Sequence, residues 1–397
     1  MDEKNVGFIK KVCCKNFISI FYIHYYIRNM KSSILDIKKV QEFAKEHKLQ
    51  PFRVKQIYHE IFKNQNIEFS EMTTLSKELR DQLDQYFFVS SLKIDKIMED
   101  DNTTKVGFRT QDGHIIESVI LSHRAKRWNE KLNRITLCIS SQIGCPINCL
   151  FCVTWKMGFK RNLTRDEIIS QILVANHLIK QKMWKKSDQT LFGVRNVVFM
   201  WMGEPLLNYE NVRKSIEIML RQEAGLSLSK RHITISTAGI IPWIQQLIKD
   251  DIQVKLAISL HAPNQTLRDQ LMPIAKAYPL DALMKVIDQY VRVSDNRIFY
   301  EYIMIKNVTD KPELAQQLAA LLKGKLAHIN LIPYNANPLI KLQESDETTI
   351  RKFQETLEKL HMTVTVRDSM GRKVKSACWQ LGYEAVQKKD EDDDDDE

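Results

Sequence analysis

"CISSQIGCPINCLFCVTWKMGFKRNLTRDEII", residues 138–169, holds four of the chain's seven cysteines and decides which fold the chain can adopt. Within it, Cys145, Cys149 and Cys152 have the spacing CxxxCxxC. The stretch before these cysteines has the apolar pattern of a strand, and the stretch after them has that of a helix. Three thiols placed so close together on one connecting loop can bind a single metal centre.

Two kinds of metal centre compete for these cysteines. A closed structural zinc site takes four ligands, and the nearest fourth candidate is Cys138 on the preceding strand. An iron–sulfur cluster is also normally held by four thiolates, so three cysteines leave one iron open to a small molecule. The spacing CxxxCxxC favours the cluster, because it is a strong signal for the radical S-adenosylmethionine (SAM) class of enzymes.

Strand-like and helix-like patterns alternate from residue 134 onwards. Apolar strand patterns lie at 134–140, 195–200, 232–237, 254–261, 297–305, 328–334 and 363–368. Helical patterns lie between them at 165–182, 209–222, 240–250, 281–293, 311–323 and 347–360. This alternation predicts an α/β fold whose parallel sheet, open or closed into a barrel, is covered by helices.

Short polar motifs follow four of these predicted strands. They are "MGEP" after 195–200, "ST" at the end of 232–237, "SLH" at the end of 254–261 and "YN" at the end of 328–334. Ligands of such folds lie beyond the carboxyl ends of the strands. We therefore expect these motifs to meet the cysteine loop at one site.

The remaining segments differ in character. Residues 31–95 have the apolar spacing of a small helical domain, and 96–133 predict a β-hairpin, with its turn at Asp112-Gly113, followed by a linker. Residues 1–30 are an extension or reflect a misassigned start, with Met30 as the alternative first residue. Residues 386–397 form an acidic tail that we expect to be disordered.

Charge and cysteine usage restrict the class of protein. The formal net charge is +10 even though the last eight residues are all acidic, so the body of the chain suits a polyanion such as RNA or DNA. An odd number of clustered cysteines argues against a secreted disulfide framework. Because no run of eighteen apolar residues occurs, we expect a cytoplasmic protein without membrane partners.

Longer blocks of the sequence resemble one family. "CISSQIGCPINCLFC", "GFKRNLTRDEII", "MGEPLLN", "LSKRHITISTAGIIP", "ISLHAPN", "LMPI", "INLIPYN" and "SACWQL" are similar, in this order, to the RlmN type of radical SAM adenosine C2-methyltransferases (the RlmN/Cfr family). The resemblance runs from about residue 35 to 385. It implies a partial (β/α)6 radical SAM barrel at 134–385, preceded by the helical domain and the hairpin.

The resemblance also implies roles for individual residues. Cys145, Cys149 and Cys152 would hold a [4Fe-4S] cluster. The SAM pocket would be lined by Gly203, Glu204, Ser236, Ser259, Leu260, His261 and Asn335. Cys378 would accept a methyl group, Cys138 would be its partner thiol, and Glu117 would act as the base.

The chemistry of the family explains these residue types. Adenine C2 is an electron-poor carbon that resists ordinary polar methyl transfer. In the family scheme one SAM methylates Cys378, and a second SAM gives a 5′-deoxyadenosyl radical that takes hydrogen from this methyl group. The carbon radical adds to the base, Glu117 removes the ring proton, and Cys138 releases the product by forming a transient disulfide with Cys378.

The family implies partners as well. These are 23S rRNA and tRNA as substrates and an electron donor such as flavodoxin or ferredoxin, with the enzyme a monomer. Lysines and an arginine of the helical domain could contact phosphates without specifying sequence: Lys38, Lys39, Lys45, Lys48, Arg53, Lys55 and Lys63. Two alternatives stay open, a Cfr-like enzyme that methylates adenine C8 and a catalytically inactive RNA-binding homologue.

Three tryptophans depart from the family pattern. Trp155, Trp201 and Trp379 stand near the reactive groups, where the family usually has small residues, most often glycine. Glycine is scarce, with 12 in 397 residues against an average usage of ~7%. One hypothesis is that some or all of the six tryptophan codons are UGA, translated as glycine in the cell. If the tryptophans are real, crowding of the site favours the inactive homologue.

Overall fold

Apolar residues spaced three and four apart in the N-terminal segment produce three helices. They are α1 (Ile37–Glu46), α2 (Pro51–Phe62) and α3 (Lys77–Tyr86). A two-residue strand, β1 (Ser32–Ser33), precedes these helices and pairs in parallel with a second one, β2 (Phe87–Phe88), that follows them. Apolar residues of this segment are buried at Ile34, Val40, Phe43, Ile57, Tyr58, Ile61, Phe62, Leu75, Leu79 and Leu83, whereas Ile37 and Val54, which share the same helical spacing, are only half-buried. The lysines predicted to contact phosphates are exposed on this unit.

The computed structural model describes residues 31–100, 102–123, 134–184, 193–200 and 202–367. By the density of internal contacts the chain divides into two units, one ending at Ser91 and the other beginning at Leu92. The extension at 1–30 and the acidic tail at 386–397 lie outside the described residues. No helix within the described ranges has both the length and the apolar character to cross a bilayer.

The second unit is built on a ten-stranded sheet. Its strands lie side by side in the order β14 (Val364–Val366), β13 (Ala327–Pro333), β12 (Ile298–Met304), β11 (Lys255–Ser259), β10 (Ile233–Thr237), β9 (Asn196–Phe199), β6 (Arg134–Cys138), β5 (Ile115–His123), β4 (Thr103–Arg109) and β3 (Lys93–Asp100). Seven of them, β6 and β9 to β14, are parallel and correspond to the seven predicted strands. The linear order makes this a partial barrel, as predicted.

Helices connect the parallel strands, as the sequence predicted. They are α4 (Arg165–Trp184), α5 (Tyr209–Leu220), α6 (Ile241–Lys249), α8 (Leu280–Ser294), α9 (Pro312–Leu322) and α10 (Glu347–Lys359), with one further helix, α7 (Gln265–Leu271), that the sequence did not predict. The capping box at the start of α4 is present, because the Thr164 hydroxyl accepts from the Glu167 amide and the Glu167 carboxylate accepts from the Thr164 amide.

Three antiparallel strands extend the sheet beyond β6. The predicted hairpin is formed by β4 (Thr103–Arg109) and β5 (Ile115–His123), and β3 (Lys93–Asp100) adds an outer strand. β5 pairs with β6, so the hairpin continues the sheet of the second unit. Arg161 holds the hairpin turn by contacting Asp112 at 2.7 Å, and it also contacts Glu167 at 2.7 Å at the start of α4.

The strand register places several predicted site residues on one face of this sheet. Residues paired across neighbouring strands point to the same side, and so do residues two apart in a strand. Following the pairs from β5 through β6, β9 and β10 to β11 puts Glu117, Cys138, Ser236 and Ser259 on the same face. The sheet itself therefore gathers these side chains from sequence positions far apart.

A buried ion pair lies on this face. The Lys105 ammonium is 2.9 Å from the Glu117 carboxylate, and their side chains are only 5% and 10% exposed. Removing one partner of a buried pair leaves the other charge without compensation, which typically costs 3–5 kcal/mol. An exposed pair contributes less than about 1 kcal/mol.

We predict that Lys105→Met lowers the free energy of unfolding of the full chain by about 3–5 kcal/mol in urea titrations. Arg351→Met is the matched control, since Arg351 forms an exposed i,i+4 pair with Glu347 and should cost under about 1 kcal/mol. The double variant Lys105→Met/Glu117→Leu should recover much of the loss. Equal effects of the two single variants would contradict the importance of the buried pair.

Candidate active site

The cysteine loop leaves the sheet at the end of β6 and is fixed at its base by backbone hydrogen bonds. The Ser141 amide donates to the Met202 carbonyl at 2.9 Å, and the Leu163 amide donates to the Ser141 carbonyl at 3.1 Å. Inside this base, β7 (Gln142–Ile143) pairs with β8 (Arg161–Asn162). The cysteines lie between these two short strands, so the base of their loop is anchored to the sheet.

The loop faces a pocket at the carboxyl ends of the parallel strands. This pocket has a volume of about 100 Å³. It is lined by eight of the predicted site residues: Cys145, Cys149, Cys152, Gly203, Glu204, Ser236, Ser259 and His261. Apolar walls come from residues such as Phe151, Phe199 and Met272. The structure thus brings together the motifs that the sequence placed at separate strand ends.

The three thiols are held in an environment that disfavours their charged form. Burial raises the pKa of Cys145, Cys149 and Cys152, and for Cys145 and Cys149 the neighbouring cysteines raise it further. For Cys152, hydrogen bonds from Thr154 oppose the effect of burial. A bound metal reverses this balance, because a coordinating thiol is deprotonated. The loop therefore suits a metal centre better than it suits free thiolates.

Glu204 is a buried carboxylate anchored by the backbone. Its oxygens accept from the Leu206 amide at 3.0 Å and the Ala238 amide at 2.7 Å, while its own amide donates to the Gln142 side chain. Burial raises its pKa to about 7 despite these donors. Gly203 beside it has a φ of +94°, and a Cβ there would lie 2.5 Å from the Cβ of Gln142, so glycine is required.

His261 follows β11 in a left-handed conformation, with a φ of +58°. Its buried ring packs edge-on against Phe151, with 4.9 Å between ring centroids. Burial and the neighbouring Arg268 lower its pKa to about 3, which keeps the imidazole neutral at physiological pH. The amides of Leu260 and His261 both donate to the Glu301 carbonyl at 3.1 Å, which fixes this strand end on β12.

Four other predicted site residues lie outside the pocket lining. Leu260 is fully buried after β11, and Asn335 is buried after β13, where its side-chain oxygen has no partner among the described residues. Cys138 is buried at the end of β6. Glu117 is engaged with Lys105 on the hairpin. Cys378 lies outside the described residues.

Two buried charged residues were not predicted from the sequence. Arg268, on the unpredicted helix α7, is completely buried, and one of its nitrogens donates to the carbonyls of Ala238 and Ser259. Glu301 on β12 is buried opposite Ser259 and accepts from Asn330 at 2.9 Å. The sequence did contain a signal for each of them. Arg268 follows the "SLH" motif by a few residues, and Glu301 is a charged residue inside an otherwise apolar strand.

Trp155 lies on the cysteine loop, in the 3₁₀ turn Thr154–Met157. Its φ is not positive, so the backbone at this position accommodates a tryptophan. Its indole nitrogen is buried, however, and has no hydrogen-bond partner among the described residues. A buried N–H donor without an acceptor lowers the stability of the folded protein, so the structure supports the expectation that tryptophan crowds this loop. Trp201 and Trp379 lie outside the described residues.

Comparison with known proteins gives consistent similarities. The Radical SAM superfamily model matches residues 139–318, and the model for the ribosomal RNA large subunit methyltransferase N-terminal domain matches residues 34–89. A probable dual-specificity RNA methyltransferase RlmN from Dictyoglomus thermophilum is 41% identical over 346 residues, covering 87% of this chain and 94% of the relative. The protein of the same description from Aquifex aeolicus is 42% identical, covering 85% and 93%.

A solved structure extends the similarity to three dimensions. The crystal structure of a radical SAM methyltransferase from Sphaerobacter thermophilus matches with a TM-score of 0.78 and 33% sequence identity. The match covers 88% of this chain and 97% of that one.

A glycine just before the first cysteine tests how tightly the loop is packed. Gly144 has a φ of +72°, and a Cβ there would lie 1.7 Å from the carbonyl oxygen of Gly158. Gly158 also has a positive φ, of +67°, but a Cβ there would meet no atom within 4 Å. The two positions share backbone strain and differ in steric conflict.

We predict that Gly144→Ala destabilises the chain by about 1–3 kcal/mol more than Gly158→Ala, because only the first substitution forces backbone atoms apart. Gly158→Ala should itself cost about 1–3 kcal/mol from its backbone conformation. Urea unfolding of the two variants, together with iron content after anaerobic reconstitution, measures the difference. Equal losses would show that the loop can open at Gly144 without cost.

Proposed function

Because this chain belongs to the RlmN family of radical SAM RNA methyltransferases, we propose that it methylates C2 of a specific adenosine in 23S rRNA and in tRNA. Family membership also gives the cofactors, a [4Fe-4S] cluster and SAM. The observation that carries the proposal is the meeting of Cys145, Cys149 and Cys152 with Glu204 in one pocket at the strand ends.

The residues around the pocket fit these cofactors. Three thiolates are soft ligands of the kind that iron–sulfur clusters take, and they number one fewer than a closed cluster needs. Arg268 beside them is a buried cation with two nitrogens that have no partner among the described residues, which suits an anionic group. When bound, the cluster supplies the electron that cleaves SAM to a 5′-deoxyadenosyl radical.

The predicted SAM-binding residues offer complementary chemistry. The buried carboxylate of Glu204 complements the ammonium group of SAM, and its two backbone donors keep it in place. Neutral His261 can exchange hydrogen bonds without adding a positive charge beside the sulfonium. Gly203, Ser236, Ser259, Leu260 and Asn335 complete the proposed set, and apolar walls exclude water from the reacting atoms.

Three further residues would carry the methyl group and the proton. Cys378 accepts a methyl group from one SAM, and after hydrogen removal its carbon forms the bond to adenine C2. The unpaired electron of the adduct would return to the bound cluster. The Cys138 thiolate then attacks the Cys378 sulfur, which forms the disulfide and breaks the bond between that sulfur and the new methyl carbon, and this carbon takes a proton to complete the methyl group. Glu117, whose carboxylate lies 2.9 Å from the Lys105 ammonium, takes the ring proton.

The N-terminal unit would hold the RNA. Its residues 34–89 match the methyltransferase N-terminal domain, and its helices expose lysines such as Lys38, Lys45 and Lys55 that can contact phosphates. The target adenine has to leave its stack to reach a reactive centre inside a protein, so folded RNA with a splayed base is the expected substrate form.

A second candidate, an inactive RNA-binding homologue, is favoured by one observation. The Trp155 indole nitrogen is buried on the cysteine loop without an acceptor among the described residues. If tryptophan is the native residue, this unsatisfied donor destabilises the loop that would hold the cluster. The two candidates differ in whether tryptophan is the native residue at this position.

We predict that peptides of the protein purified from its native cells carry glycine at position 155, and also at 201 and 379. Tandem mass spectrometry of these peptides gives the answer directly, since each peptide would be lighter by a tryptophan side chain. A tryptophan codon read normally elsewhere in the same cells serves as the control. Tryptophan found at all three positions would contradict the recoding hypothesis and strengthen the inactive candidate.

The function itself is tested in a host lacking the corresponding methylation. Expression of the chain, with glycine at the three positions if the peptides show it, should restore 2-methyladenosine in 23S rRNA and tRNA, measured by nucleoside mass spectrometry. Cys149→Ala should abolish both iron binding and methylation, whereas Cys378→Ala should abolish methylation and retain iron. Cys14→Ala, outside the motifs, should change neither. The appearance of 8-methyladenosine, or an iron-free wild type, would refute the proposal.

A further inference from the structure

Arg268 is a buried cation for which the described residues supply no ion-pair partner. Its side chain is 0% exposed, and burial lowers its pKa to about 10 without bringing it near neutrality at physiological pH. No carboxylate within the described ranges lies within ion-pair distance of its guanidinium. A buried charge without a paired anion is unusual, because removing it from water is costly.

Hydrogen bonding accounts for only part of the guanidinium. One terminal nitrogen donates to the carbonyls of Ala238 at 2.6 Å and Ser259 at 3.4 Å. The Nε atom and the other terminal nitrogen are buried and have no partner among the described residues. An arginine whose only role is to link backbone carbonyls would use all of its N–H donors. Two unused donors on one buried guanidinium therefore indicate an acceptor that the described residues do not provide.

The surroundings of Arg268 identify where this acceptor belongs. Ala238 and Ser259, whose carbonyls it contacts, both line the cofactor pocket. Helix α7 is joined to the cysteine loop by the Leu150 amide, which donates to the Leu271 carbonyl at 3.0 Å. Arg268 also lies close enough to Cys149 for each to shift the other's pKa, the thiolate favouring the cation and the cation favouring the thiolate.

The other charged or titratable groups at the pocket do not supply the anion. Neutral His261 carries no charge to offer. The Glu204 carboxylate is occupied by two backbone donors. The carboxylate of Asp269, next to Arg268 on α7, favours the cation but forms no ion pair with it. Two anionic groups of the proposed cofactors remain, the carboxylate of SAM and the cluster. The cluster is the one bound to Cys149, with which Arg268 interacts electrostatically, and its thiolates and sulfides accept hydrogen bonds from N–H donors.

We propose that Arg268 is the built-in counter-charge of the iron–sulfur cluster, donating its unused N–H groups on the Cys149 side and stabilising the reduced state. This inference rests on the proposed function, since it requires that Cys145, Cys149 and Cys152 hold the cluster. Reduction brings one electron from an external donor onto the cluster and forms no new bond. A fixed cation stabilises the more negative product, so it makes the reduction potential less negative.

The test is a redox titration of the anaerobically reconstituted full chain, with dithionite as the donor and electron paramagnetic resonance of the reduced cluster as the signal. Arg268→Met should lower the one-electron reduction equilibrium constant about tenfold, which is a shift of 59 mV to more negative potential. Arg268→Lys retains the charge and should shift the potential less. Arg292→Met, which removes an exposed arginine of α8, should leave it unchanged.

Thermal unfolding with and without the cluster separates this role from a structural one. Because Arg268 is an uncompensated cation without the cluster, Arg268→Met should lower the unfolding temperature of the reconstituted chain more than that of the iron-free chain. Equal losses in both forms, or a variant that holds a full cluster at the wild-type potential, would overturn the proposal. An iron-free wild type would instead refute the proposed function, so the two failures are distinguishable.

Discussion

Charge inside a water-excluded pocket is the constraint on which this structure depends. The cysteine loop, Glu204 and Arg268 place titratable groups of both signs around one cavity, and burial dominates the pKa of each of them. Burial favours the neutral form of the thiols, and no carboxylate among the described residues forms an ion pair with Arg268. A cluster bound by deprotonated thiolates removes both problems at once, because it supplies the negative charge that the cation lacks.

The sheet makes this arrangement possible by fixing where the groups stand. The carboxyl ends of parallel strands lie at one edge of the sheet. At this edge the cysteine loop after β6 meets Gly203 and Glu204 after β9 and His261 after β11, although 116 positions separate Cys145 from His261 in sequence. Backbone hydrogen bonds anchor each piece: Ser141 to Met202, Glu204 to Ala238, and His261 to Glu301. Rigid strand ends of this kind hold reactive groups more accurately than free loops do.

The sequence predicted most of this architecture and missed parts that only tertiary contact creates. All seven parallel strands and the six longer helices follow from alternating apolar patterns, since each is long enough for its period to be visible. Helix α7 was missed because seven mostly polar residues carry too little pattern. The role of Arg268 was missed with it, because its burial depends on α7 packing against the cysteine loop.

Pairing across strands was also beyond sequence analysis. Lys105 and Glu117 are twelve residues apart, and they meet because the β4–β5 register brings them to one face. The pocket residues were found only because short motifs marked them, and their roles came from resemblance rather than from pattern. Trp155 shows the opposite case: the family pattern singled it out, but its backbone conformation accommodates tryptophan, and its cost lies in an indole nitrogen without an acceptor among the described residues.

An iron ion left with a free coordination position is the central claim, and Mössbauer spectroscopy of the reconstituted protein tests it most directly. We expect a [4Fe-4S] spectrum in which one iron differs from the other three and changes its parameters when SAM is added. Four iron sites that do not respond to SAM, or a protein that takes up zinc and forms no cluster, would contradict the account.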